Sequence, residues 1–159
     1  MKYLYSTIVL VVGVWVQWMW STYGSFFGLA PQVLLVLTVA LASREKPALA
    51  MSFAFVWGLF SDAMRVHLFG AEALFFTCVA YGVGLVRRQI DVSSLVPQIA
   101  LLGVISYIYF PALALIGLVF ERHAFWAGWE RFLLTPIYNC LVAPAGFLFM
   151  ERFTQKHDF

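Results

Sequence analysis

Short clusters of charged residues divide the chain into six long apolar runs. The runs cover approximately residues 3–20, 26–43, 47–66, 71–86, 95–120 and 131–150. Only 11% of the residues are charged, against about 25% in an average soluble domain, so polar groups are too few to cover a water-facing surface. A transmembrane helix needs about 20 apolar residues. The pattern predicts a single membrane domain over residues 1–159, all-α and polytopic, with about six transmembrane helices.

The type of secondary structure follows from how the apolar residues are distributed within each run. They occupy all sides of the runs, whereas the strands of a membrane barrel would alternate apolar and polar residues. Trp15, Trp18 and Trp20 crowd the end of the first run, as interfacial anchors do, and no small-residue cleavage site follows them. The first run is therefore predicted to be an uncleaved helix. Gln17 within it is treated as an isolated polar residue.

The distribution of positive charge predicts the topology. Loops rich in Lys and Arg stay in the cytoplasm, and one side of a six-span arrangement carries seven of the ten cations. Both termini of this inner-membrane protein are therefore predicted to be cytoplasmic, with Arg87 and Arg88 as anchors to lipid headgroups. The boundary between the third and fourth runs is the weakest of the boundaries. An arrangement with five spans is therefore an alternative. The seven cations are Lys2, Arg44, Lys46, Arg87, Arg88, Arg152 and Lys156; the other three are Arg65, Arg122 and Arg131.

A stripe of small residues in the third run ends in a carboxylate. Ala50, Ala54, Gly58 and Asp62 recur every four residues, which places them on one helix face. Small residues at this spacing let another helix approach closely in lipid. Arg65, one turn further on, is a candidate partner for the carboxylate. The stripe is predicted either to contact a partner or border a cavity, or to pack within the fold.

The last run places an amide among prolines. Asn139 lies between Pro136 and Pro144, deep in the apolar region, where it needs a hydrogen-bond partner on another helix or a carbonyl freed by proline. Two interpretations stay open: a polar contact between helices of this chain, or a binding residue. These two prolines and Pro111 in the fifth run are predicted sites of helix kinking and packing. Glu72 begins the fourth run, which suits a helix N-terminus.

Several function classes lack support in the sequence. A net charge of +2 does not indicate nucleic-acid binding, and the three histidines lack metal-ligand spacing. Neither a nucleophile motif nor a glycine-rich phosphate loop is present. The ionisable residues are scattered among loops and helix ends rather than gathered at one depth. We therefore expect a protein that is not an enzyme and that uses no metal and no cofactor.

The order of short motifs along the chain resembles the MreD family of rod shape-determining proteins. Residues 58–62 read Gly-Leu-Phe-Ser-Asp and residues 69–74 read Phe-Gly-Ala-Glu-Ala-Leu. Residues 81–88 then form a Tyr-x-x-Gly helix closed by two arginines, and the last run contributes Pro-x-x-Asn at 136–139 and Ala-Pro at 143–144. The resemblance covers nearly the whole chain. One departure is that residues 65–67, just after Asp62, are Arg-Val-His where the family often has small, glycine-rich residues.

This resemblance implies a non-enzymatic scaffold of the bacterial cell-elongation complex. Members of the family bind MreC and work with MreB filaments, the glycosyltransferase RodA and its class B penicillin-binding transpeptidase. They are similar in fold to the S components of energy-coupling-factor transporters, so Asp62 could border a cavity open to the outer face. The alternative function is a true S component, binding a vitamin for uptake. S components usually carry Ala-x-x-x-Ala on the first helix, and the first run here contains no alanine.

Overall fold

The computed structural model describes residues 2–23, 29–64, 68–90, 92, 94–121 and 128–155. In these residues all six elements are α-helices, which confirms the prediction of an all-helical chain. The helices are α1 (Lys2–Tyr23), α2 (Val33–Ala42), α3 (Pro47–Ala63), α4 (Ala71–Val86), α5 (Leu95–Glu121) and α6 (Trp129–Gln155).

Two of these helices meet the length and hydropathy that a membrane crossing requires. They are α5 over Leu95–Glu121 and α6 over Trp129–Arg152. The other apolar helices are shorter, between 10 and 17 residues in the part that the structure describes in full. Since a crossing takes about 20 residues, length and composition alone identify two helices that could span a bilayer.

The short helix α2 lies at the centre of the bundle. All ten of its residues are buried, and it packs against each of the other five helices. Its sequence is apolar on every side apart from Thr38, whose hydroxyl donates a 2.8 Å hydrogen bond to the carbonyl of Leu34 in the preceding turn. A helix that is apolar all round has no face suited to water, which is why it takes the central position.

The second helix begins later than the sequence predicted. A helix was expected from residue 26, but residues 29–32 lie outside any helix and α2 starts at Val33; residues 26–28 are outside the described part of the chain. Pro31 therefore precedes the helix. Proline disfavours helical geometry in the residue before it, and the non-helical backbone here finds side-chain hydrogen-bond partners in the bundle.

The remaining boundaries differ by smaller amounts. Helix α1 continues to Tyr23, three residues beyond the predicted end, and α6 runs from Trp129 to Gln155. Helix α3 ends at Ala63, and the last part of its predicted run, at residues 65 and 66, lies outside the described residues. Pro111 lies inside α5, and Pro136 and Pro144 lie inside α6.

Large apolar side chains cover much of the outer surface of the bundle. Val11, Val96, Val119 and Leu141 are each at least 60% exposed, on three different helices. Soluble monomers rarely expose contiguous apolar patches of more than a few hundred Å². A surface of this kind suits the hydrocarbon of a bilayer, in agreement with the two helices of membrane-spanning length.

Candidate functional site

The carboxylate of Asp62 is buried at the joint between α3 and α4. Its Oδ2 accepts hydrogen bonds from the backbone N–H groups of Gly70 (3.0 Å) and Ala73 (3.1 Å), and its Oδ1 accepts one from Glu72 (3.0 Å). The side chain is only 4% exposed. Asp62 therefore caps the N-terminus of α4 from the end of the preceding helix.

The local sequence explains why the cap comes from another helix. The residue in the N-cap position of α4 is Gly70, which has no side chain and adopts φ of +97°, a conformation that favours glycine. The first N–H groups of a helix have no partner within it. In a buried position they need an acceptor, and a carboxylate also complements the positive end of the helix dipole. Asp62 supplies both the hydrogen-bond acceptor and the carboxylate.

Gly58 allows α3 and α4 to approach closely enough for this cap. A Cβ atom on Gly58 would lie 2.6 Å from the backbone nitrogen of Ala73 and 2.8 Å from the carbonyl oxygen of Glu72. Ala50 and Ala54, on the same face of α3, are 1% and 0% exposed and belong to the hydrophobic core. This placement favours the interpretation in which the small-residue stripe packs within the fold.

Glu72 extends the joint to α5. It lies in the first turn of α4, as expected, but its side chain is 3% exposed and its Oε1 accepts a 2.5 Å hydrogen bond from the hydroxyl of Tyr109. The Tyr109 ring also packs edge-to-face on Phe75 of α4, with 5.3 Å between ring centroids. Tyr109 was not among the residues predicted from the sequence. A tyrosine inside a long apolar run was the available signal, because a buried phenol requires a hydrogen-bond partner.

A second buried polar site surrounds Asn139 of α6. Its Oδ1 accepts a 2.8 Å hydrogen bond from the backbone N–H of Gln32, and its Nδ2 donates to Ser106 Oγ at 2.9 Å and to Gln32 Oε1 at 3.4 Å. Asn139 and Ser106 are both fully buried. The amide thus bonds across helices, which is the first of the two partners considered from the sequence.

Gln17 of α1 completes this second site. Its Nε2 donates to the carbonyl of Pro31 (3.4 Å), and its Oε1 accepts from the N–H of Leu34 (3.2 Å). Together Asn139 and Gln17 pair with backbone N–H and carbonyl groups where the non-helical residues 29–32 lead into α2. Buried backbone groups outside helices need hydrogen-bond partners of this kind. Gln17, which the sequence presents as an isolated polar residue of little weight, is therefore part of a buried hydrogen-bond site.

Both sites perform the same structural task. Each buried helix N-terminus, that of α2 and that of α4, receives its hydrogen-bond acceptors from side chains of other helices. The oxygens of Asp62 and the amides of Gln17 and Asn139 are engaged with backbone groups. A residue used in this way holds helices together.

Charged residues gather at the opposite end of the bundle from these caps. Arg44 Nη2 lies 3.5 Å from Glu151 Oε2, and Arg87 Nη1 donates a 2.9 Å hydrogen bond to the carbonyl of Glu45. Burial raises the pKa of Glu45 above its usual value of 4.5, and the nearby Arg87 guanidinium only partly opposes this. The neighbouring Arg88 is exposed. These contacts bring the ends of α2, α4 and α6 together.

Among the residues that the structure describes, apolar side chains line cavities that open on the bundle surface. One of about 560 Å³ lies between α1 and α3, and one of about 200 Å³ lies between α1, α2 and α6. The third, of about 460 Å³, is formed by α3, the beginning of α4 and the end of α5. Asp62 does not line any of the three.

Two further expectations from the sequence concern an ion pair and metal binding. The pairing of Asp62 with Arg65 falls outside the described residues, since residues 65–67 are not among them. Among the residues that the structure does describe, no group of three or more His, Cys, Asp or Glu side chains could hold a metal ion.

Comparison with known proteins adds no assignment. No family model, no curated protein and no solved structure matches the chain. The sequence motifs and the geometry of the two capping sites are therefore the features that bear on function.

Proposed function

We propose that this protein is a non-enzymatic membrane scaffold of the MreD type, which binds MreC directly in the bacterial cell-elongation complex. The wider complex would include MreB, RodA and its class B penicillin-binding transpeptidase. In this role the protein contributes to the control of cell shape and peptidoglycan synthesis through contacts within the bilayer. It acts without a metal, a cofactor or nucleic acid.

The observation that carries the proposal is the joint between α3 and α4. The two motifs that resemble the MreD family, Gly-Leu-x-x-Asp and Gly-x-x-Ala-Leu, meet there. Gly58 gives the close approach, Asp62 the cap, Gly70 the left-handed turn and Ala73 the small contact surface. Because these positions perform one structural task together, their joint occurrence supports the resemblance more strongly than any one of them would.

The proposed topology has six spans with both termini in the cytoplasm, in a fold similar to that of S components. The contacts between Arg44 and Glu151 and between Arg87 and Glu45 support it, because they gather the positively charged loops at one end of the bundle. The short helices α2 and α4 can be accommodated in this topology because their N-termini receive hydrogen-bond acceptors from side chains of other helices.

A reporter fused after Arg88 separates six spans from five. Six spans place this residue in the cytoplasm, where green fluorescent protein folds and alkaline phosphatase stays inactive. If residues 47–86 formed one span, the phosphatase would be active and the fluorescence lost. A fusion after Gln155 is a second test, since only six spans place it in the cytoplasm. A fusion after Lys46 is the control, because both arrangements place that residue in the cytoplasm.

The groove between α1 and α3 is the surface we propose for the MreC transmembrane helix. The two helices meet where the indole of Trp57 lies 3.4 Å from the carbonyl of Leu10, and the groove lies beside this contact. Trp15, Trp18 and Phe60 line it and are between 47% and 58% exposed. The small-residue stripe is buried within the bundle and is not accessible to a partner in this structure.

Site-specific photocross-linking tests the partner and the surface together. A benzoylphenylalanine at Trp18 should cross-link to MreC in native membranes, whereas the same probe at Leu141, on the lipid-facing side of α6 and 71% exposed, should not. Cross-linking at Leu141 alone would move the interface to another helix. Purification with an ATPase pair and a coupling membrane subunit, in place of MreC, would contradict the scaffold and favour the S-component alternative.

A further inference from the structure

Positive charge is concentrated at the end of the bundle where α2, α4 and α6 meet, which we call the basic end. Among the described residues, cations outnumber carboxylates there by three, whereas carboxylates outnumber cations at the opposite end. The basic end has Arg44, Lys46, Arg87, Arg88 and Arg152 beside Glu45 and Glu151; the opposite end has Arg131 beside Asp62, Glu72, Glu121 and Glu130. The charge of the basic end is therefore complementary to an anion.

Two arginines of the basic end are held in place by the fold. Arg87 Nη1 donates a 2.9 Å hydrogen bond to the carbonyl of Glu45, the residue that follows Arg44. The Arg44 side chain is only 18% exposed, and its Nε atom is buried. Burial of the stem and of Nε fixes the direction of the guanidinium group. Side chains that are already ordered lose less conformational entropy when a ligand binds.

The ion pair of Arg44 leaves room for a further acceptor. Its Nη2 lies 3.5 Å from Glu151 Oε2, whereas a charge-assisted hydrogen bond between such atoms measures about 2.7–2.9 Å. A guanidinium group presents several N–H donors in a planar fork that matches the oxygens of a phosphate. The loose contact with Glu151 uses only part of this capacity.

The beginning of α3 adds to the positive potential of the basic end. The residue in its N-cap position is Lys46, and its first turn contains no acidic residue. An ammonium group cannot accept a hydrogen bond, so this side chain does not cap the helix. The positive end of the α3 dipole is therefore not offset by a carboxylate of its own first turn, in contrast to α4 with Asp62 and Glu72.

Apolar side chains lie beside these cations on the outer surface of the bundle. Leu85 lies one turn before Arg88 on α4, and Leu148 lies one turn before Arg152 on α6. The two leucines are 41% and 50% exposed. A free phosphate would use the cations alone, whereas a phospholipid carries a phosphate and apolar chains together. The arrangement of arginines next to exposed leucines therefore favours a lipid.

We propose that the basic end binds an anionic phospholipid, with Arg44 and Arg87 as the ligands of its phosphate group. Arg88 lies at the exposed rim of this site, and the acyl chains lie along the apolar surface of α4 and α6. The site goes beyond general attraction to a membrane surface, because it uses half-buried guanidinium groups that the fold positions. It requires that the bundle lies in a bilayer, and it does not depend on the binding of MreC.

Native mass spectrometry of the full-length protein in detergent tests the site. The protein is titrated with phosphatidylglycerol or with phosphatidylcholine that has the same acyl chains, and the apparent dissociation constant of the first bound lipid is measured. One basic side chain near an anionic surface strengthens binding about fivefold, so two arginines should favour phosphatidylglycerol by about 25-fold. Equal binding of the two lipids would overturn the proposal.

Arg44→Gln should weaken the binding of phosphatidylglycerol about fivefold and leave that of phosphatidylcholine unchanged. Arg131→Gln is the matched control, because it removes the same charge from an exposed position at the opposite end. Equal losses in the two variants would mean that only the net charge matters and would overturn the site. If Arg44→Gln fails to fold, Arg88→Gln replaces it, since Arg88 is exposed.

Competition with sn-glycerol 3-phosphate distinguishes a lipid from a free phosphate. This soluble compound carries a phosphate group and no acyl chain. If the apolar side chains contribute, it should not displace phosphatidylglycerol at an equal concentration. Displacement at an equal concentration would identify a free phosphate as the ligand and overturn the lipid site.

Discussion

Gly58 and Ala73 bring two helix backbones into direct contact, so that a methyl group on Gly58 would lie 2.6 Å from the Ala73 nitrogen. The atom in the way belongs to the backbone of α4, which cannot turn aside as a flexible side chain can. The same approach positions the N–H groups of α4 for the Asp62 carboxylate. Close packing and polar capping are therefore parts of one joint.

Gly58→Ala should destabilise the folded protein, since the added methyl group forces α3 and α4 apart and lengthens the bonds to Asp62. Overpacking of a tight core site costs about 1–3 kcal/mol. The measurement is thermal unfolding in detergent. Gly82→Ala on α4 is the control, because a Cβ there meets no described atom within 4 Å. Equal effects of the two substitutions would contradict the role of Gly58.

Asp62→Ala should open the start of α4, because three backbone N–H groups lose their acceptor. Each buried donor left unsatisfied costs about 1–3 kcal/mol. Hydrogen exchange should accelerate at the amides of Gly70, Glu72 and Ala73. Asp62→Asn keeps one acceptor oxygen and should give an intermediate effect. Unchanged exchange in the alanine variant would mean that water or another group caps the helix.

Asn139→Ala should loosen the entry to α2, since the N–H of Gln32 loses its acceptor and Ser106 its donor. We expect a loss of about 1–3 kcal/mol in the free energy of unfolding. Ile137→Ala, at an exposed position two residues earlier, is the control. A double-mutant cycle with Ser106→Ala should give a coupling energy of about 0.6 kcal/mol, as for other hydrogen bonds between membrane helices. Additive effects would show that the two side chains act independently.

Tyr109→Phe removes only the hydroxyl that bonds to Glu72. The edge-to-face contact of the ring with Phe75 remains, so the substitution isolates the hydrogen bond. The expected cost is about 1–3 kcal/mol, because a buried carboxyl oxygen loses a donor. Tyr107→Phe on the same helix, at a position that is 44% exposed, provides the comparison in the same unfolding assay. A smaller loss for Tyr109→Phe than for Tyr107→Phe would argue against the bond.

Glu45→Gln should stabilise the protein at neutral pH. Burial raises the pKa of Glu45 in the folded state above 4.5, so its ionised form is less favourable when folded than when unfolded. This penalty is fully present above the folded-state pKa and disappears as the pH falls to 4.5 and below. The difference in melting temperature between the variant and the native protein should therefore shrink from pH 7.5 to pH 4.5. If the difference in melting temperature did not change with pH, the stabilisation would have a cause other than the ionisation of Glu45.

The all-helical class of this protein was determined by the sequence itself. Low charge and long apolar runs predict a backbone that is buried away from water, and a helix satisfies such a backbone within one segment. The same reasoning located α3, α4 and α5 to within a few residues. Periodicity also placed Ala50, Ala54, Gly58 and Asp62 on one face of a helix, and the buried amide of Asn139 correctly indicated a contact between helices.

What the sequence left open depended on contacts between distant residues. The start of α2 at Val33, the use of Gln17 as a cap and the partner of Glu72 each require a second helix to be in place. Local sequence patterns cannot specify contacts of this kind. Asn139, for example, accepts the hydrogen bond from Gln32 from a position 107 residues away in the sequence. Tertiary structure alone decided that the small-residue stripe faces inward and that Asp62 bonds to the backbone of α4. The physical reason is that each buried helix N-terminus has to find its acceptors on whichever side chains packing brings near it.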